Sequence, residues 1–197
     1  METSPRAKIQ SCSSFSVSIW LIFLNFEQNT FDMKIKIRPA VFADIDTILE
    51  ITNHEILHGT SNYDYEPHDF ETQKLWFEKK QEGNWPIIVA EFENTVIGYA
   101  TFGQFREKVG YLYTVEHSVY VAEEFIGNGV GKLLLAELIK LAKEQGFHNM
   151  IGAIDAQNKA SIAFHKKFGF EVAGTIREVG YKFDHWLDLV FMQLILE

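Results

Sequence analysis

Three runs rich in apolar, β-branched and aromatic residues follow one another between Trp85 and Val121: "WPIIVAEF", "TVIGYATFG" and "YLYTVEHSVYV". They alternate with a period of two and are broken only by short turns at "ENT" and around Gly110, which predicts an antiparallel meander. Such a sheet has two faces to cover, and the flanking sequence supplies the covers. Ile45, Ile48, Leu49, Thr52 and Ile56 recur at helical spacing between Phe42 and Leu57. Asp69 caps a second helix running to about Gln81, Val130–Gln145 forms a third closed by Gly146, and Asn158–Phe168 a fourth ended by Gly169. "KIKIRPA" is a short strand stopped at Pro39, and "NMIGAID", Phe170–Ile176 and Trp186–Ile195 are further strands. The predicted order is β, α, α, β, β, β, α, β, α, β, β. The fold class is therefore α/β (α+β), a mixed, mostly antiparallel sheet of about seven strands with about four helices packed on it.

A chain of 197 residues with 47% hydrophobic and 23% charged residues fits one domain with a full core. Its formal net charge of -9 argues against a nucleic-acid partner, because that affinity rests on Lys and Arg neutralising phosphates. Any polyanion must be held locally. Cys12 is the single cysteine, so neither an internal disulfide nor a paired-cysteine metal site can form, and a reducing cytoplasm is expected. The first 32 residues read differently. "FSVSIWLIFLNF", Phe15–Phe26, is shorter than the about 20 residues that span a bilayer and has no signal-peptidase site after it. The expectation is an extension at 1–32 outside the fold, with Met33 as the natural start and 33–197 as the domain; an export or anchor signal is the alternative.

The third predicted helix is preceded by "EEFIGNGVGKLL", with glycines at 127, 129 and 131. A Walker A loop anchored on Gly131 and Lys132 would need Gly where Ile126 stands and Ser or Thr where Leu133 stands. The dinucleotide pattern fails too, since Lys132 and Leu134 lie three residues beyond Gly129 and Gly131. Between a strand and a helix N-terminus, however, main-chain N–H groups and the helix dipole converge on an anion. The cradle comprises Gly127, Asn128, Gly129, Val130, Gly131 and Lys132. A glycine-rich turn that holds nothing is the plain alternative.

In context the loop resembles the acyl-CoA signature of the GNAT acyltransferase superfamily: Arg or Gln, two residues, Gly, one residue, then Gly or Ala. Gly129 and Gly131 fill the glycine places and Ile126 departs from the first. From about Lys36 to the C-terminus the chain is similar to the phosphinothricin and methionine sulfoximine N-acetyltransferase group, in "IRPA", "NHEIL", "EPHDF", "VIGYATFGQFR", "YTVEHSVYV", "NKASIAFHKKFGF" and "HWLDLVFMQ". The resemblance implies the GNAT fold, acetyl-CoA as cosubstrate, no metal, a small-molecule amine acceptor, no membrane partner and a homodimer. It also implies that Ser118, Val119 and Val121 pair main-chain groups with the pantetheine arm where two parallel strands splay. Asn158 resembles the family amide that binds the same arm, and His165 stands where many GNAT enzymes carry a tyrosine that protonates the departing thiolate; helix packing is its alternative.

Glu116 is the candidate proton acceptor, ordering a water rather than deprotonating an ammonium directly, since an exposed Glu has a pKa of about 4.3. Its alternative is a surface carboxylate on an edge strand. Strict alternation puts His117 on the opposite face, packed or solvent-facing. Arg106 can pair bidentately with an acceptor carboxylate, and Tyr111, Thr114 and the loop with Tyr63, Tyr65 and Glu66 are expected to wall the acceptor site. His54, Glu55 and His58 spell the zinc-protease motif HExxH. Against that reading, both histidines fall opposite the helix's apolar stripe, and Ser61 stands where the extended motif needs glycine. The function expected is acetyl transfer to the α-amine of phosphinothricin, methionine sulfoximine or sulfone, or an amino acid. Acetylation of a polyamine or a protein N-terminus, zinc hydrolysis and a non-catalytic CoA-binding module are the alternatives.

Overall fold

The computed structural model describes residues 33–197; the reading of 1–32 and of Cys12 lies outside them. Seven strands and four α-helices occur in the predicted order: β1 (Lys36–Pro39), α1 (Ile45–His58), α2 (Phe70–Glu82), β2 (Ile87–Phe92), β3 (Thr95–Gln104), β4 (Thr114–Val121), α3 (Val130–Glu144), β5 (Asn149–Asp155), α4 (Lys159–Lys166), β6 (Glu171–Lys182) and β7 (His185–Ile195). Phe42–Asp44, in the expected first helix, forms a 3-10 turn instead. Asp69 is the predicted cap of α2, its side chain accepting from Thr72 N at 2.8 Å. β6 runs six residues past the expected Ile176, with an irregularity between Ile176 and Gly180.

The sheet order is β1-β2-β3-β4-β5-β7-β6. Every pairing is antiparallel except β4 with β5. That parallel pair is tied only at Thr114–Asn149, Val115–Met150 and Glu116–Ile151. Beyond Glu116, β4 continues along β3, while β5 continues along β7. A wedge therefore opens between two strands whose facing main-chain groups lack a strand partner.

The pleat divides the side chains between two cores. Leu134, Leu135 and Leu138 of α3 are fully buried against Ile97, Phe102, Val115 and Met150 on one face. Each contributes about 2 kcal/mol by leaving water. Ile45, Ile48 and Ile51 of α1 and Phe77 of α2 pack on Val89 and Tyr99 of the other face. Thr52 Oγ1 bonds Ile48 O and Tyr99 Oη, both at 2.7 Å, fastening α1 to β3.

Arg38 joins β1 to both neighbours, donating to Asp44 at 2.7 and 2.9 Å and to Glu91 at 2.6 Å. Burial pushes the Asp44 carboxyl up, but the Arg38 hydrogen bonds and charge and the Val41 N–H outweigh it, leaving the group below the usual carboxylate range. A depressed folded pKa contributes stability that is present above the unfolded value and lost as pH falls through the folded one. Asp44→Asn should cost about 2 kcal/mol at pH 7, the scale of a charged hydrogen-bonded partner. Urea titrations should show the gap between the two proteins narrowing at pH 3. Among the described residues, no helix is long and apolar enough to cross a membrane.

Candidate functional site

The wedge between β4 and β5 is the floor of a cleft of about 980 Å³. Its walls come from α1, the loop before α3, and α4. Gly127 and Gly129 have φ of 89° and 83°, the left-handed region that only glycine enters freely. A Cβ added at either would meet nothing within 4 Å, so the loop presents bare backbone to the cleft. Gly131 differs: it has no positive φ, and a Cβ there would make ordinary contacts, 3.7 Å from Phe164 and 3.8 Å from Val121, so neither backbone nor packing demands glycine at that position. Among the described residues, the N–H groups of Gly127, Gly129, Val130, Gly131 and Lys132 have no backbone acceptor. They add to the positive end of the α3 dipole and suit a diphosphate.

Gly127, Gly129, Gly131, Lys132, Ser118, Val119, Val121, Asn158 and His165 all line this cleft. Two of the loop residues do not. Asn128 N is spent on Phe125 O at 3.3 Å, and the Val130 side chain is buried in the core beneath α3. Ile126, where the glycine pattern departs, is exposed on the rim. Asn158 is the N-cap of α4, its Oδ1 accepting from Ser161 N at 2.9 Å, which leaves Nδ2 as a donor.

Glu116, Arg106, Tyr111 and Thr114 form a second group outside the cleft lining. Glu116 stands on the last rung of the parallel pairing, opposite Ile151. It shares the pleat with Ser118 and Tyr120, and Tyr120 packs in the core under α1 and α2, so Glu116 points to that face. Burial pushes its carboxyl above the ordinary value, and the Arg106 charge partly opposes this. Arg106 lies 5.0 Å over the Phe105 ring, and Tyr111 meets the same ring edge-on at 5.8 Å. Thr114 O accepts from Phe105 N at 3.3 Å. The β3–β4 connection thus brings a guanidinium within electrostatic reach of a half-buried carboxylate, with Tyr111 packed on the same Phe105 ring as that guanidinium.

The sequence model of the acetyltransferase (GNAT) family matches residues 50–170, more than half the chain and the span that holds both groups. The chain belongs to this family. It is 42% identical over 166 residues to an L-methionine sulfoximine/L-methionine sulfone acetyltransferase of Pseudomonas paraeruginosa, covering 84% of this chain and 96% of that one. The crystal structure of an N-acetyltransferase from Staphylococcus aureus Mu50 superposes with a TM-score of 0.82 at 45% identity, over 83% of this chain and 99% of the other. A GNAT superfamily phosphinothricin acetyltransferase from Sinorhizobium meliloti, solved with acetyl-CoA, gives 0.81 at 38% identity, over 83% and 89%. The protein is an acetyl-transferring enzyme of the GNAT fold.

Other walls of the GNAT cleft were not legible in the sequence. His54 and His58 face away from the apolar stripe, as expected, yet both line the cleft, together with Glu55 on the flank of α1. His54 Nε2 contacts Glu123 at 3.1 Å, and Glu55 accepts from Ser61 N at 2.7 Å. Tyr120 also lines it, with burial lifting its phenol to about 12 and Ser118 opposing. Tyr65 bonds Tyr181 O and Lys182 Nζ donates to Gly59 O at 2.9 Å, so the α1–α2 loop is pinned to the β6–β7 hairpin. His117 is packed, as alternation implied, against His165.

Proposed function

We propose that the protein is a cytoplasmic, homodimeric enzyme that transfers acetyl from acetyl-CoA to the α-amine of a small amino-acid-like acceptor such as methionine sulfoximine, methionine sulfone or phosphinothricin. The observation that carries this is the separation of β4 from β5 immediately after Glu116. It leaves backbone donors and acceptors along a cleft that ends at the glycine loop, and Glu116 stands on the last paired rung where that wedge opens, its side chain on the α1–α2 face. The names of the relatives support the acceptor class; a single cysteine supports the cytoplasm, and family resemblance the dimer.

The loop of Gly127, Asn128, Gly129, Val130, Gly131 and Lys132 holds the diphosphate, with Asn128 a spacer rather than a donor. Ser118, Val119, Val121 and Asn158 hold the pantetheine arm. Acetyl-CoA, when bound, supplies an activated thioester. Glu116 receives a proton from the acceptor ammonium through an ordered water. Its raised pKa makes it a better match for that task than an exposed Glu. Arg106 binds the acceptor carboxylate, while Tyr111 and Thr114 shape the pocket. His165 contributes from the other side of β4. Transfer releases one net proton, since the ammonium loses two and the sulfur takes one.

An amine panel incubated with acetyl-CoA tests the reading through release of CoA thiol. Release should require an amino-acid sulfone, sulfoximine or phosphinate and survive chelation. Chelator-sensitive peptidase activity, or CoA binding without turnover on any amine, would overturn it. Arg106→Ala should raise KM for the acceptor about 10-fold, the loss of one charged hydrogen-bonded contact, with KM for acetyl-CoA unchanged.

A further inference from the structure

Among the described residues, Lys182 is the one lysine or arginine that is buried, at 3% exposed. It ends β6, where Phe183 and Asp184, with φ of 51° and 60°, make the two-residue turn that pairs Lys182 with His185. No described carboxylate lies within ion-pair distance of its ammonium. Nζ instead donates to Gly59 O at 2.9 Å and to Asn62 O at 2.6 Å, both in the α1–α2 loop. Neither carbonyl has a main-chain donor among the described residues. Burial lowers the ammonium, and the charges of Glu55 and Asp64 oppose that. Withdrawing an ammonium from water is costly, and an apolar side chain would fill the space without that cost. A lysine spent on two loop carbonyls therefore calls for a role.

The same loop is held from several other elements. Asn53 of α1 donates Nδ2 to His68 O at 2.9 Å and accepts from His68 N at 2.8 Å. Thr60 Oγ1 donates to Asp155 Oδ2 at 2.6 Å, at the end of β5, and Glu55 takes the Ser61 N–H. Asp64 Oδ2 meets His68 Nε2 at 3.0 Å, and Tyr65 Oη donates to Tyr181 O. The Tyr63 ring rests on Gly180 of β6, where an added Cβ would run into it. Between Gly59 and His68, only Glu66 and Pro67 have no such tie. Gly59 and Ser61 line the cleft. Besides burial, the charges of Glu55, Asp64 and Glu116 all push up the Tyr120 phenol in that cleft, so the loop and the candidate base face one space.

We infer that Lys182 is a positioning residue: from the tip of the β6–β7 hairpin it fixes the α1–α2 loop as a pre-formed wall of the acceptor pocket, and so sets which acceptor side chains fit. This rests on the acyl-transfer reading above. Arg106 takes the acceptor carboxylate from the β3–β4 side, which leaves the α1–α2 loop to meet the acceptor's side chain. A wall ordered before binding loses no further freedom when the acceptor arrives, whereas a mobile lid would lose affinity on closing. Lysine suits the task, because one flexible stem with rotatable donors satisfies two carbonyls that a planar guanidinium would have to meet in a fixed fork. The hairpin touches no reacting atom and acts only through the loop.

Two measurements test it. In the free, full-length wild-type protein, the Ser61 and His68 amides, each bonded to a side chain of α1, should exchange hydrogen at least about 100-fold slower than in an unstructured chain. Exchange at unprotected rates would show a mobile lid and overturn the proposal, whatever the activity proves to be. Lys182→Met keeps the stem and removes the ammonium. In that variant the two amides should lose most of their protection, and KM for methionine sulfone should rise about 10-fold with KM for acetyl-CoA within about two-fold. Its preference for methionine sulfone over alanine, as a ratio of kcat/KM, should fall about 5-fold. An unchanged preference, or an equal rise in both KM values, would reduce Lys182 to a stability role and sink the idea. Gly180→Ala leaves the lysine and displaces the Tyr63 ring, so it should lower the same preference, and it decides the matter if Lys182→Met does not fold. A preference equal to the parent's in Gly180→Ala would also overturn the inference. If wild-type protein turns over no amine, the acetyltransferase reading fails while hydrogen exchange still decides whether the loop is pinned.

Discussion

Glu116→Gln is expected to lower kcat by about 10²- to 10³-fold, the range a positioned general base contributes. The substitution keeps the size and the hydrogen-bonding outline of the side chain but removes its capacity to take a proton. KM for acetyl-CoA should stay within two-fold, because the side chain lies on the α1–α2 face while the diphosphate cradle is at the start of α3. The pH profile gives an independent reading. The active form is the carboxylate, so activity falls as pH drops through the folded pKa, which burial has raised. Arg106 opposes that rise, so Arg106→Ala should push the group further up and move the acidic limb of kcat toward higher pH. Measuring kcat from pH 5 to 9 with both substrates saturating separates this from the loss of acceptor affinity. A Gln variant within three-fold of the parent, or an acidic limb that does not move, would remove Glu116 from the proton path.

How far the sequence revealed this site depends on how local each part is. The glycine loop lies within six consecutive residues, and positive φ at 127 and 129 follows from residue type. The strand-then-helix context was equally legible. Sheet order was not, because β7 inserts between β5 and β6 through pairings such as Gly152–Met192, forty residues apart. Nor could periodicity show that the polar face of α1 forms a cleft wall. His54 and His58 were placed away from the core, which is where they are, but the surface they meet is Glu123, 69 residues on from His54. The zinc-protease spelling arises on that face, and its first histidine is engaged with a carboxylate. Asn158 shows a different limit: Asn before a helix is a cap signal as much as a ligand signal, and here Oδ1 does cap α4. His117 shows what alternation can do, giving its face correctly while leaving unseen that the face holds a second imidazole.

Gly129→Val should raise KM for acetyl-CoA about 50-fold, a loss of about 2.3 kcal/mol, within the range of charge-assisted hydrogen bonds to an anion. At φ of 83° a β-branched residue is strained, so the loop must either bear about 1–3 kcal/mol or rotate its N–H groups away from the cleft. KM for the amine should be unaffected, since Arg106 and Glu116 lie on the β3–β4 side. Strain alone would also lower stability, and Gly146 provides the control. It has φ of 79° at the other end of α3, away from the cleft, with nothing within 4 Å of an added Cβ. Gly146→Val should therefore lose comparable thermal stability with KM for acetyl-CoA unchanged. If both variants raise that constant equally, the effect belongs to the stability of α3. If only Gly129→Val does, the left-handed turn is a binding device, and Ile126 on its rim is where an added cation should tighten binding: Ile126→Arg lowering the same constant several-fold would show that the cradle accepts the charge its pattern lacks.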